Sequence, residues 1–299
     1  MIRVNRWAFA MALLLAPMPA LAFGTIHGLG QDAEHERITR KALAQSGIEA
    51  RTLDELAGKR GTFGAVGAPD RPDRGLMSVS AAHCDNGDWL DTPGYPRTQP
   101  EAEAVLESCR AFIFVSMEEA VNRAAELVGP DLTINAAATA MPCDFNGQAT
   151  GKCGVLEAAG MAFHASQDFY SHSNWVDPVA GGKGRAGPPG LGQATPAGWL
   201  DQAWPDERMP QGLISGCYAG FPETLYCQGR VRHATLNKDG ARSPRGAGGV
   251  YRRAMDVAAD DTKARWTWFL ARLGEVYGPE RGRRMACVIR RDDPARCGA

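Results

Sequence analysis

The chain has no phosphate-binding G-x-x-x-x-G-K-[ST] loop and no G-x-S-x-G elbow, so nothing in it points to a P-loop nucleotidase or a serine hydrolase. No segment alternates apolar and polar residues with period two, which removes the usual signal for half-buried strands. No C-x-x-C pair is present, which argues against a zinc ribbon. Charge of one sign is not in excess. The 33 Lys and Arg stand against 34 Asp and Glu, so no global field favours nucleic acid over other ligands. A local basic run at Arg281, Arg283, Arg284, Arg290 and Arg291 reads as a solvated C-terminal segment rather than a binding arm. Internal repeats are absent, and beyond the start of the chain no apolar stretch is long enough to cross a bilayer.

That start, MIRVNRWAFAMALLLAPMPALA, places Arg3 and Arg6 before a short apolar run and ends in Ala20-Leu21-Ala22. This is the layout of a cleavable secretory signal, with Phe23 expected as the first mature residue. Pro17 and Pro19 interrupt the run, which is shorter than the roughly 20 residues of a spanning helix. A secreted or periplasmic protein is expected. The 8 cysteines suit that compartment. Cys143/Cys153, Cys217/Cys227 and Cys287/Cys297 share one spacing and suggest local bridges that leave Cys84 with Cys109, although spacing alone does not settle connectivity.

The helical signals are strong. DAEHERITRKALAQSG opens on Asp32 as a cap, carries acids in its first turn and Ile38, Ala42 and Leu43 at helical spacing, and stops at Gly47. A short helix is expected near Leu53–Gly58, and longer ones over about 101–128, 154–170 and 251–277. The remainder of 50–100 looks irregular. Residues 178–216, rich in Gly and Pro, read as a long ordered loop or a flap over a site. The expected architecture is all-α: a single multi-helix domain over 23–299 with long loops.

The chemistry concentrates in FHASQDFYSHSNWVD, residues 163–177. Residues four apart on a helix differ by about 40° in azimuth and about 6 Å in height, so His164 and Asp168 can hold one metal ion. His172 lies about 12 Å of axial rise from His164, which suits a second ion with Asp168 bridging the two. Imidazole and carboxylate without thiolate is a zinc-type catalytic set rather than a closed structural site. The sequence has 6 histidines. His35 sits on the first helix, His83 stands in AAHCDNGDWLD beside Asp85, Asp88 and Asp91, and His233 stands in VRHATLNKDG before Asn237 and Asp239. Trp89, Tyr170 and Trp175 are nearby aromatics that read equally as a face for a cationic ligand or as plain packing residues.

The segment His164 to Asn174, of the form H-x3-D-F-x-x-H-S-N, resembles the zinc-dependent phospholipases C of bacterial type and the related single-strand nucleases, most nearly the branch with the fungal Het-C incompatibility proteins. The resemblance implies up to three zinc ions. It also implies ligation by the amine and carbonyl of the mature terminus, here Phe23 where the family has Trp, and by a histidine on the first helix, here His35, followed by Ile38 and Ala42. It further assigns a general-base aspartate, Asp70 with Asp73 as a near alternative, then the ligands His83, His164, Asp168 and His172. The family's closing His-x3-Glu matches only His233; position 237 is Asn, and Asp239 is the first acid after it. The implied activity is phosphoester hydrolysis, foremost by a phospholipase C acting on phospholipid headgroups, with peripheral membrane contact. The alternatives are a single-strand nuclease acting on nucleic acid, or a secreted toxin or interaction protein that keeps the metal site for structure.

Overall fold

The computed structural model describes residues 23–28, 31–179, 188–220 and 222–298. The leader expected over 1–22 and part of the 178–216 segment lie outside them. Among the described residues the architecture is helical, with one two-residue antiparallel pairing, β1 (His27–Gly28) with β2 (Gln31–Asp32). No described helix is long and apolar enough to cross a membrane. In chain order the helices are α1 (Glu34–Leu43), α2 (Ala50–Ala57), α3 (Ser80–His83), α4 (Gln99–Arg123), α5 (Gly151–His172), α6 (Glu223–Tyr226), α7 (His233–Leu236), α8 (Val250–Tyr277) and α9 (Pro279–Arg290).

The first helix departs from its sequence reading at the N-terminus. Ala33, not Asp32, precedes it, in the left-handed region at φ 47°, and no side chain caps it. Asp32 is drawn into the strand pair and bonds Arg37 at 2.6 Å. The Glu34 carboxylate instead takes the amides of Gly24 (2.9 Å) and Asp32 (3.1 Å), pinning the incoming chain to α1. The opening of α4 is conventional: Thr98 and Glu101 form a reciprocal capping box.

α5 is the centre of the molecule. Apart from Cys153 and Met161, all its residues are buried. Its many Ala, Gly and Ser residues let neighbours approach from every side: α4, α8 and α3 pack against it, with α1 and α2 touching its edge. At Gly160 a Cβ would lie 2.4 Å from the Ala65 carbonyl carbon, so only glycine admits that loop. Core truncations such as Leu156→Ala or Phe163→Ala are expected to cost about 2–5 kcal/mol.

The C-terminal basic run is not simply solvated. It forms α9, which buries Met285, Val288 and Ile289. Its arginines satisfy carbonyls at the ends of other elements: Arg281 bonds Val128, Arg284 bonds Leu132 and Arg290 bonds Ser46. The arginine count concealed an amphipathic helix introduced by Pro279 at its first position.

All 8 cysteines are paired, Cys84–Cys109, Cys143–Cys153, Cys217–Cys227 and Cys287–Cys297, as expected in an oxidising compartment. The described part of 178–216 is an ordered loop rather than a flap. Trp199 and Leu200 are buried, the Trp199 indole donates to Glu107 (3.0 Å), and the Tyr170 hydroxyl accepts from the Ala197 amide (2.9 Å). These contacts hold the loop against α4 and α5.

Candidate metal centre

The site forms at the C-terminal end of α5, where His164, Asp168 and His172 follow one another at four-residue spacing and are fully buried. Three surrounding segments bring the remaining groups to them. α1 supplies His35. The short α3, whose end is tied to α4 by Cys84–Cys109, supplies His83. The chain after it turns through left-handed Cys84 (φ 53°) and delivers Asp85. α7 supplies His233; Gly216 lies against its backbone, where a Cβ would meet the His233 Cα at 2.3 Å.

The Asp168 carboxylate lies among four imidazoles. Its Oδ2 is 3.1 Å from His164 Nε2 and 2.9 Å from His83 Nδ1, and its Oδ1 is 3.2 Å from His35 Nε2 and 3.9 Å from His172 Nε2. Asp70, partly exposed, reaches within 3.7 Å of His164 and 3.9 Å of His83. On the far side His172 Nδ1 is 3.0 Å from Asp85, and its ring meets that of His233 edge-on at 4.2 Å. Three groups result, each compact enough to hold an ion: His35, Asp70 and His164; His83, His164 and Asp168; Asp85, His172 and His233.

The hydrogen bonds on the outer side of these rings determine which nitrogen faces inward. His35 Nδ1 donates to Gln167 Oε1 (2.8 Å), His164 Nδ1 to the Val66 carbonyl (2.9 Å), His83 Nε2 to the Leu76 carbonyl (3.2 Å) and His233 Nδ1 to Glu223 (3.1 Å). The opposite nitrogens are left with lone pairs toward the cluster, as metal-ligating histidines require. His164 Nε2 and His83 Nδ1 lie 3.0 Å apart. Two arms of a tetrahedral zinc site stand roughly 3.3 Å apart at ordinary Zn–N lengths, so this separation suits ligands of a shared ion. His35 Nε2, His172 Nε2, Asp168 Oδ1 and Asp85 Oδ1 are buried with no protein hydrogen bond. Buried polar atoms left in this state are costly unless something else engages them. The donor set, free of thiolate, fits a zinc-like cation.

The electrostatics agree. Burial opposes charge on the imidazoles, but the carboxylates outweigh it: Asp168 and Asp70 raise His83 to about 9, and Asp85 and Asp168 raise His172 to about 10. His35 is raised in the same way, whereas for His164 burial prevails and its pKa falls. Burial pushes the Asp168 carboxyl up, yet the surrounding imidazoles hold it well below its usual range. The site is built to collect positive charge.

Phe23 is completely buried, with its ring edge-on to His35 at 6.1 Å. Next to it the Thr25 hydroxyl donates to Asp70, so the start of the described chain is clamped to the site. Asp239 lies outside the three groups. Its carboxylate accepts from Ser171 and Asn237, and burial raises its pKa to about 6. His27, the remaining histidine, lies apart on β1, 3.7 Å from Asp32 and 3.5 Å from Glu36.

The sequence reading did not select Asp85, Glu223 or Gln167 as site residues. Asp85 carries a faint signal as the acid two residues after His83. Gln167 is a polar residue inside an otherwise buried helical stretch. Glu223 precedes His233 by ten residues, and no spacing rule marks it; the Cys217–Cys227 bridge closes the loop that presents it.

A cavity of ≈ 170 Å³ opens onto the cluster. Its lining combines Asp70, His83, Asp85 and His233 with Ile26, Phe63, Pro72, Met77 and Tyr218. Trp89, Tyr170 and Trp175 do not line it; Tyr170 and Trp175 are packed into the core around Phe169. Comparisons with protein-family models, with curated proteins and with solved structures return no match.

Proposed function

We propose that this chain is an exported zinc-dependent phosphodiesterase of the phospholipase C type, acting on phospholipid headgroups. The reading rests chiefly on one arrangement: a buried carboxylate shared by four imidazoles, one of which, His83, lines a small cavity together with Asp70. His35, His83, His164, Asp168, His172, His233 and Asp85 would hold up to three zinc ions, with Asp239 close behind the third group and the Phe23 amine and carbonyl completing the first. Bound zinc supplies charge for the phosphoryl oxygens and lowers the pKa of water.

The protein's own groups contribute the rest. Asp70, held by the Thr25 hydroxyl and facing the cavity, orients the attacking water and takes its proton. The apolar wall excludes bulk water. Among the described residues no Lys or Arg lines the cavity, which argues against tracking a polynucleotide backbone. Met77, which lines the cavity, is exposed, as are Val79 two residues on and Leu225 and Tyr226 shortly after Glu223, which supports peripheral contact with lipid aggregates.

The test is hydrolysis of phosphatidylcholine and of single-stranded DNA by zinc-loaded protein. Headgroup release that disappears on chelation is expected. Cleavage of DNA alone would replace the reading with a nuclease. Stoichiometric zinc without cleavage of either would leave the metal a structural role. Asp70→Asn should keep its zinc and lose turnover by roughly 10²–10⁴-fold.

A further inference from the structure

Phosphoester cleavage needs a group for the departing oxygen as well as one for the attacking water, and the histidines do not offer one. Each has a hydrogen-bonded outer nitrogen and an inner one turned toward the cluster. Thr25 is committed to Asp70. Asp70 lines the cavity 3.9 Å from His83. Tyr218 lines the same cavity, its ring 5.6 Å from that of His233. Its backbone is fixed by Asn86, whose side chain accepts from the Tyr218 amide (3.1 Å) and donates to the Tyr218 carbonyl. No described residue bonds its hydroxyl, and it is the one phenol lining the cavity.

We infer that Tyr218 is a further catalytic residue, the donor that protonates the leaving alkoxide of a phosphodiester bound in the cavity that Tyr218 and Asp70 both line. This rests on the phosphodiesterase reading above. In an in-line displacement the attacking and departing oxygens lie on opposite sides of phosphorus, so the proton donor must be a group other than Asp70. The water oxygen bonds to phosphorus while its proton passes to Asp70. The bond from phosphorus to the alcohol oxygen breaks, and that oxygen takes the Tyr218 hydroxyl proton. The phenolate then regains a proton from solvent as Asp70 releases one.

Leaving-group dependence tests the assignment. Tyr218→Phe removes one oxygen and keeps the ring that packs on His233. On phosphatidylcholine, where an alkoxide departs, kcat should fall on the order of 100-fold; on p-nitrophenyl phosphocholine, whose departing oxygen needs no proton, the loss should stay below about 5-fold. Zinc content and thermal midpoint should match the wild type. Equal losses on both esters, no loss on either, or loss of zinc would overturn the assignment while leaving the phosphodiesterase reading intact. A wild-type protein inactive on both esters would overturn the phospholipase reading, and this inference with it.

Discussion

The two ends of α5 each bury charged side chains, and they do so in opposite ways. At the N-terminal end Lys152 is sequestered, but its ammonium donates to Thr52 Oγ1 (2.8 Å) and the Arg291 carbonyl (2.6 Å), and Asp292 caps α2 alongside it. Those partners all belong to the protein. At the C-terminal end His164, Asp168 and His172 face one another and His35, His83 and Asp85, and several of their polar atoms bond nothing. A buried charge provided with protein partners is a joint between segments, whereas buried donors converging on a shared point need a ligand from outside. Burial alone does not distinguish the two; the fate of each polar atom does.

The largest effect should come from Asp168→Asn, which takes the charge from the centre of four imidazoles. Zinc affinity, measured by competition with a chelator, is expected to fall by more than the roughly 10–100-fold typical of losing an outer partner. Retention of wild-type zinc would erase the contrast between the two ends. Chelation of the wild type should come next. Loss of ligand bound at about 1,000 times its Kd removes about 4 kcal/mol, or about 10 °C in thermal midpoint for a domain of this size. An unchanged midpoint would mean that the C-terminal end of α5 needs no ion.

A smaller effect is expected from Glu223→Gln, which weakens the bond orienting His233; zinc affinity at one of the ions should drop about 10-fold, with the fold unchanged by circular dichroism. The smallest tests the other end. Lys152→Met should leave zinc binding alone and cost about 1–3 kcal/mol in urea unfolding, because the Arg291 carbonyl loses its donor. Burial draws the Lys152 pKa down to about 8 against the pull of Asp292 and Glu49. Between there and the unfolded value of about 10.4, the unfolded chain holds the extra proton, so this group's contribution to stability rises with pH. The wild type should therefore gain on Lys152→Met between pH values of about 7.5 and 9.5. A constant gap would remove Lys152 as a titrating joint.

Local signals carried the helices well, because α1, α4, α5 and α8 each show a periodic apolar face. α9 was hidden because arginines that bond carbonyls resemble a solvated charge run until their partners are known. Asp32 read as a cap because its type and position suited one; the strand pair then claimed it. Trp175 and Tyr170 read equally as site aromatics or as packing residues; the core took them, and Tyr218, more than forty residues away, lines the cavity.

The sequence by itself determined that His164, Asp168 and His172 share one helical face, because helix periodicity fixes relative azimuth within a segment. It also pointed to His35, His83 and His233, through the company they keep. Only the tertiary structure decided that Asp85 joins His172 and His233, that Glu223 orients His233, and that Tyr218 lines the same cavity as Asp70. Those relations depend on how separate segments dock around α5, through a left-handed turn at Cys84, a bridge at Cys217–Cys227 and a glycine at 216, and no local period encodes them.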